Sequence, residues 1–83
     1  MKIRIVVKDG ECQGGHHTVG EVFEVERTTP GGMCLSAWDV LAPYVTALRC
    51  GANFPWEQER GYALSHCPDP NGITLELRRI EEV

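Results

Sequence analysis

The chain reads as one small two-layer α+β domain in the order β-β-α-β-β, with a largely antiparallel sheet and one kinked or broken helix packed on it. Three observations predict this. Three segments alternate apolar and polar residues with period two, a central segment repeats apolar residues at helical spacing, and the last alternating segment is joined to the strand-like run before it by a link too short for a crossover.

Ile3, Ile5 and Val7 alternate with Arg4, Val6 and Lys8, which predicts a strand with one face on the core, ended by Asp9-Gly10. Glu11 to Gly20 holds three glycines, Cys12 and the pair His16-His17, shows no period, and reads as a loop. Alternation resumes from Glu21 to Arg27, with Phe23 and Val25 on one side and Glu24 and Glu26 on the other. Thr28-Thr29-Pro30-Gly31-Gly32 then breaks the chain ahead of the helix.

Ser36 followed by Asp39 resembles a capping box, and Trp38, Leu41, Ala42, Val45 and Leu48 form an apolar stripe that Gly51 stops. Pro43 has no amide hydrogen for the carbonyl of Asp39, which predicts a kink or two consecutive short helices. Tyr62 to Cys67 reads as a third strand. Ile73, Leu75 and Leu77 mark a fourth across the Pro68-Asp69-Pro70-Asn71-Gly72 link, which favours an antiparallel hairpin.

A length of 83 residues predicts a single core, and a domain this short gains from a metal, a disulfide or a partner chain. The net charge of -4, with basic residues scattered along the chain, argues against a nucleic-acid partner. No apolar run is long enough to span a bilayer, and Met1-Lys2 leads straight into a strand pattern, so neither a membrane segment nor a signal peptide is expected. A cytoplasmic location follows as the expectation, and with it a reducing setting for the four cysteines.

Those cysteines, Cys12, Cys34, Cys50 and Cys67, carry the main chemical signal. Cys12 lies four positions before His16 in a glycine loop, so the pair can reach one ion, and Cys34 and Cys67 can complete a tetrahedral, zinc-like set. The close CxxC pairs usual in structural zinc sites are absent. A second reading makes Cys34 a nucleophile, its thiolate favoured by the start of the helix, with His16, His17 or His66 as base. A third treats the cysteines as small core hydrophobes, the natural role for Cys50 at the end of the apolar stripe. Phe54-Pro55-Trp56 is read as a plug at the edge of the core, with a ligand wall or partner contact as the alternative. No phosphate-binding glycine loop, HExxH or GxSxG motif is present.

The pattern Cys12-x-x-Gly15-His16, Thr29-Pro30-x-Gly32-x-Cys34, Phe54-Pro55-Trp56 and Cys67-Pro68-Asp69-Pro70 resembles that of an uncharacterised family of small prokaryotic proteins of similar length. The resemblance runs over nearly the whole chain, with one extra residue in the loop after Cys12. It implies that Cys12, His16, Cys34 and Cys67 are motif positions and that Cys50 is peculiar to this chain. It implies no activity.

The expectations are therefore a small soluble binding or accessory protein with a Cys/His site at Cys12, His16, Cys34 and Cys67, zinc being the metal it suits. The alternatives are a thiol enzyme or redox protein using Cys34, or an interaction module that takes a protein partner or pairs with itself through a strand edge or through Phe54 and Trp56.

Overall fold

The structure, a computed structural model, describes residues 1–80. Strand β1 (Lys2–Gly10) is followed by β2 (Val22–Val25), helix α1 (Leu35–Arg49), β3 (Tyr62–His66) and β4 (Ile73–Ile80). The sheet order is β2-β1-β4-β3 and every pairing is antiparallel. The first and last strands are thus the two central ones.

The period-two pattern sorts the sheet into two faces. Ile3, Ile5 and Val7 of β1 meet Leu77 and Leu75 of β4 and Val25 of β2, and with Ala63 and Ile73 they form the buried side. Helix α1 covers that side with Ala37, Leu41, Val45 and Leu48. The opposite face carries Arg4, Lys8, Glu24, Tyr62, Glu76 and Arg78, joined by exposed ion pairs such as Arg4 to Glu24 at 3.2 Å. Such pairs add little stability individually. What holds the domain is the apolar layer between sheet and helix.

One helix of 15 residues spans Pro43, rather than two short ones. Proline removes a single donor there, while Leu41 and Val45 on either side are buried against the sheet and keep the helix in one piece. The helix also starts earlier than the capping-box reading places it. Cys34 is the N-cap residue and makes no side-chain cap hydrogen bond, which puts Ser36 inside the first turn. The stop is as expected: Gly51 has a φ of 90°, its amide donates to Leu48 O at 3.1 Å, and the Ala52 amide donates to Ala47 O at 3.0 Å.

Gly10 is a second position where only glycine fits. Its φ is 93°, and a Cβ there would lie 2.4 Å from the carbonyl oxygen of Gly72. The end of β1 therefore sits directly against the β3–β4 turn. This close approach positions the candidate site.

Replacing the fully buried Leu41 with alanine should lower stability by about 2–5 kcal/mol, read as a lower urea midpoint at unchanged slope. Burial, then the hydrogen bond and charge of Glu76, pushes the Tyr62 hydroxyl from its usual 10.0 up to about 12. An acid whose native pKa is raised contributes its stability below the unfolded value and loses it as pH climbs to the folded one. Stability should accordingly fall between pH 10 and about 12, and Tyr62→Phe should flatten that decline in a denaturation series across the window.

Candidate thiol cleft

Three segments meet at the end of the sheet where β1 stops: the β1–β2 loop, the start of α1 and the β3–β4 turn. Between them lies a cleft of about 280 Å³ whose lining includes Cys12, His16, Cys34, Ser36, Cys67 and Asp69. All four residues of the sequence-derived set face this one space. Within the described residues, however, no group of three or more His, Cys, Asp or Glu side chains is close enough to hold a metal ion.

Cys12 opens a tight turn in which the Gly15 amide donates to the Cys12 carbonyl at 3.0 Å. Gly15 reverses the chain with a φ of 72°, and the following His16 N–H points back at Cys12 Sγ, 3.4 Å away. That amide is the main influence lowering the Cys12 pKa from the usual thiol value. Partial burial opposes it, and the amides of His17, Gly14 and Gly15 add to the lowering. Hydrogen bonds to the charged form favour the thiolate. The His16 ring is exposed and lies over Gly14, whose missing side chain leaves it room.

His17 does the structural work in this loop. It is 5% exposed, and its Nε2 accepts the Cys34 N–H at 3.0 Å. Accepting there requires a bare Nε2, so the proton sits on Nδ1 and is donated to the Glu21 carboxylate at 2.7 Å. The ring also meets Phe23 edge-on at 5.4 Å. One imidazole thus ties the β1–β2 loop to the N-cap residue of the helix. It is committed on both nitrogens and is not free to act as a base for Cys34.

Cys67 extends β3 by one further bond, its amide donating to Ile73 O at 2.9 Å, and together with Cys12 it packs against the apolar core. His66 lies outside the cleft and is exposed, with Nδ1 2.7 Å from the Cys67 carbonyl. Cys50 corrects an expectation. It is exposed at the C-terminal end of α1 rather than packed in the stripe, because the helix has turned it away from the sheet by that point. All four cysteines are free thiols.

The Phe54-Pro55-Trp56 segment divides its roles. Phe54 packs on the core and meets Tyr44 edge-on at 5.4 Å, whereas Trp56 stacks on Phe54 at 5.0 Å and is 64% exposed. Trp56 borders a larger cavity of about 450 Å³ on the open face of the sheet, with Lys8, Tyr62, Glu76 and Arg78. The charges there are spent on one another: Lys8 and Arg78 pair with Glu76, Arg78 also pairs with Glu59, and Tyr62 donates to Glu76 at 3.0 Å. The thiol cleft is the site with unspent chemistry.

No family model, curated protein or solved structure matches the chain. The site is therefore defined by its own geometry. Sequence reasoning favoured Cys34 as the thiolate and did not single out His17. The signal for the first was available in Gly14-Gly15-His16, which lets the backbone turn its amides onto Cys12. For the second it was the four-residue spacing of His17 and Glu21.

Replacing His17 with alanine leaves the part-buried Cys34 amide without its acceptor, at a cost of about 1–3 kcal/mol for an unsatisfied group, while the more exposed Glu21 carboxylate turns to solvent. A fall of about 2 kcal/mol in unfolding free energy is expected from urea denaturation. No measurable change would remove His17 from its structural role.

Proposed function

We propose that the protein is a small thiol-based binding protein or enzyme in which Cys12, rather than Cys34, is the working thiolate. The observation that carries this is the backbone hydrogen bond from His16 to Cys12 Sγ inside a cleft shared with two further thiols. Among the described residues no corresponding hydrogen bond reaches the sulfur of Cys34.

Backbone amides hold negative charge on sulfur without needing a histidine base, and a thiolate at the mouth of a small cleft is a nucleophile toward soft electrophiles. His17, fixed between Glu21 and Cys34, keeps the loop and the helix start in place around it. The four positions that carry the sequence pattern, Cys12, His16, Cys34 and Cys67, are also those that border the cleft, which supports reading the cleft as the place of function. Among the described residues no helix is long and apolar enough to cross a membrane, and four free cysteines suit a reducing compartment such as the cytoplasm.

A second reading is favoured by the same lining. Cys12, Cys34, Cys67 and His16 are soft and borderline donors, and an ion such as zinc would draw them together through side-chain rotation in the loops. In this reading Cys12 is again the first ligand, since the thiolate is the form that binds metal.

Alkylation rates measured across pH for each cysteine, resolved by peptide mass spectrometry, separate these readings. Cys12 should reach half its maximal rate at a lower pH than a free cysteine does, in keeping with its lowered pKa. If Cys12 titrates like a free thiol, the thiolate proposal fails. Protein purified without a histidine tag should carry little zinc on the first reading, and about one ion per chain would establish the second.

A further inference from the structure

Gly72 lies against both the side chain of Cys67 and the end of β1. A Cβ on Gly72 would lie 3.2 Å from Cys67 Sγ, so the thiol rests on Gly72 with no side chain intervening. The carbonyl of Gly72 also meets Gly10, where a Cβ would lie 2.4 Å from its oxygen, so these two backbones approach with no side chain between them. Gly10 pairs with Ile73, and the Cys67 amide bonds the Ile73 carbonyl, so β1 and Cys67 flank the same residue of β4 from opposite sides.

Cys12 follows two residues after Gly10. Its loop is drawn over the β3–β4 turn by Gln13, whose side-chain amide donates to Asn71 O at 2.8 Å. Both thiols pack on the helix side of the sheet against the core, and both face the cleft. Cys34 shares the cleft but is anchored through its own backbone to His17, and Cys50 sits at the far end of the helix.

We propose that Cys12 and Cys67 are a reversible dithiol–disulfide couple, oxidised by a hydroperoxide. The proposal rests on Cys12 as the working thiolate and goes beyond it by naming the oxidant class and the second thiol. In the first step the Cys12 thiolate attacks one oxygen of the O–O bond. A sulfur–oxygen bond forms, the O–O bond breaks, and the leaving alkoxide or hydroxide takes up a proton, giving a sulfenic acid at Cys12 and an alcohol or water. In the second, the Cys67 sulfur attacks the sulfenic sulfur. The S–S bond forms, and hydroxide leaves and combines with the thiol proton as water.

Two thiols lose two electrons in all, and one peroxide bond gains them. Closing the bond brings the two Cα atoms to about 4.4–6.8 Å. The movement falls on the Cys12 loop, which Gly14 and Gly15 make pliable.

The test treats the full chain with equimolar hydrogen peroxide and follows intact mass and peptide linkage. The expected result is the loss of two hydrogens, a Cys12–Cys67 cross-linked peptide, and complete reversal by dithiothreitol. Cys34→Ser and Cys50→Ser should leave this intact. Cys67→Ser and Cys67→Ala, each checked for native circular dichroism, should abolish the cross-link and leave Cys12 as a sulfenic acid trapped by dimedone. A linkage to Cys34, or between chains through Cys50, overturns the pairing, as does oxidation of wild-type Cys12 that stops at the sulfenic stage. In those outcomes the thiolate reading still stands. Failure of Cys12 both to oxidise and to alkylate ahead of the other thiols removes both.

Discussion

Everything in this molecule hangs on the antiparallel ladder between β1 and β4. It joins residues near the two ends of the described chain, runs from Lys2 opposite Ile80 to Gly10 opposite Ile73, and contributes Ile3, Ile5, Val7, Leu75 and Leu77 to the core. Helix α1 packs on that surface and on the inner side of β3 beside it. The outer strands β2 and β3 are short and gain their place by pairing with one of the central two. Because the ladder closes at Gly10 and Ile73, the loops on either side are forced together there, and three of the four cysteines fall in or beside those loops. The cleft is a by-product of where the central ladder stops.

The fold was legible in the sequence because most of it is written in local periodicity. Alternation in Ile3–Val7 and Ile73–Leu77 marks half-buried strands whatever they pair with, and the stripe Leu41, Val45, Leu48 marks the face of a helix. The short proline–glycine link correctly fixed the β3–β4 hairpin. Periodicity does not encode which strand neighbours which across long separations, so the central position of β1 and β4 was not readable. Nor was the continuity of α1 through Pro43. That depends on how firmly Leu41 and Val45 are held by the sheet, a tertiary effect that overrides a local penalty.

The site was legible in its membership and not in its roles. Cysteine and histidine at loop positions are conspicuous, and Cys12, His16, Cys34 and Cys67 do border one space. Role depends on the direction of single hydrogen bonds. The helix start suggested an activated thiol at Cys34, yet the amide that reaches a sulfur belongs to His16 and the sulfur is that of Cys12. Two adjacent histidines, identical in type, diverge completely: His16 is an exposed ring at the cleft, and His17 is a buried strut with both nitrogens engaged. A turn of backbone by one residue separates these outcomes, and composition carries no record of it.

The sheet order also has a consequence for how the chain is made. A ribosome releases β1 first and β4 last among the described elements, so β2, α1 and β3 emerge before the strand that completes the middle of the sheet is available. Until then the inner residues of β1 and part of the apolar side of α1 lack their cover. Part of the hydrophobic surface therefore stays uncovered until the eight-residue β4 takes its place between β1 and β3.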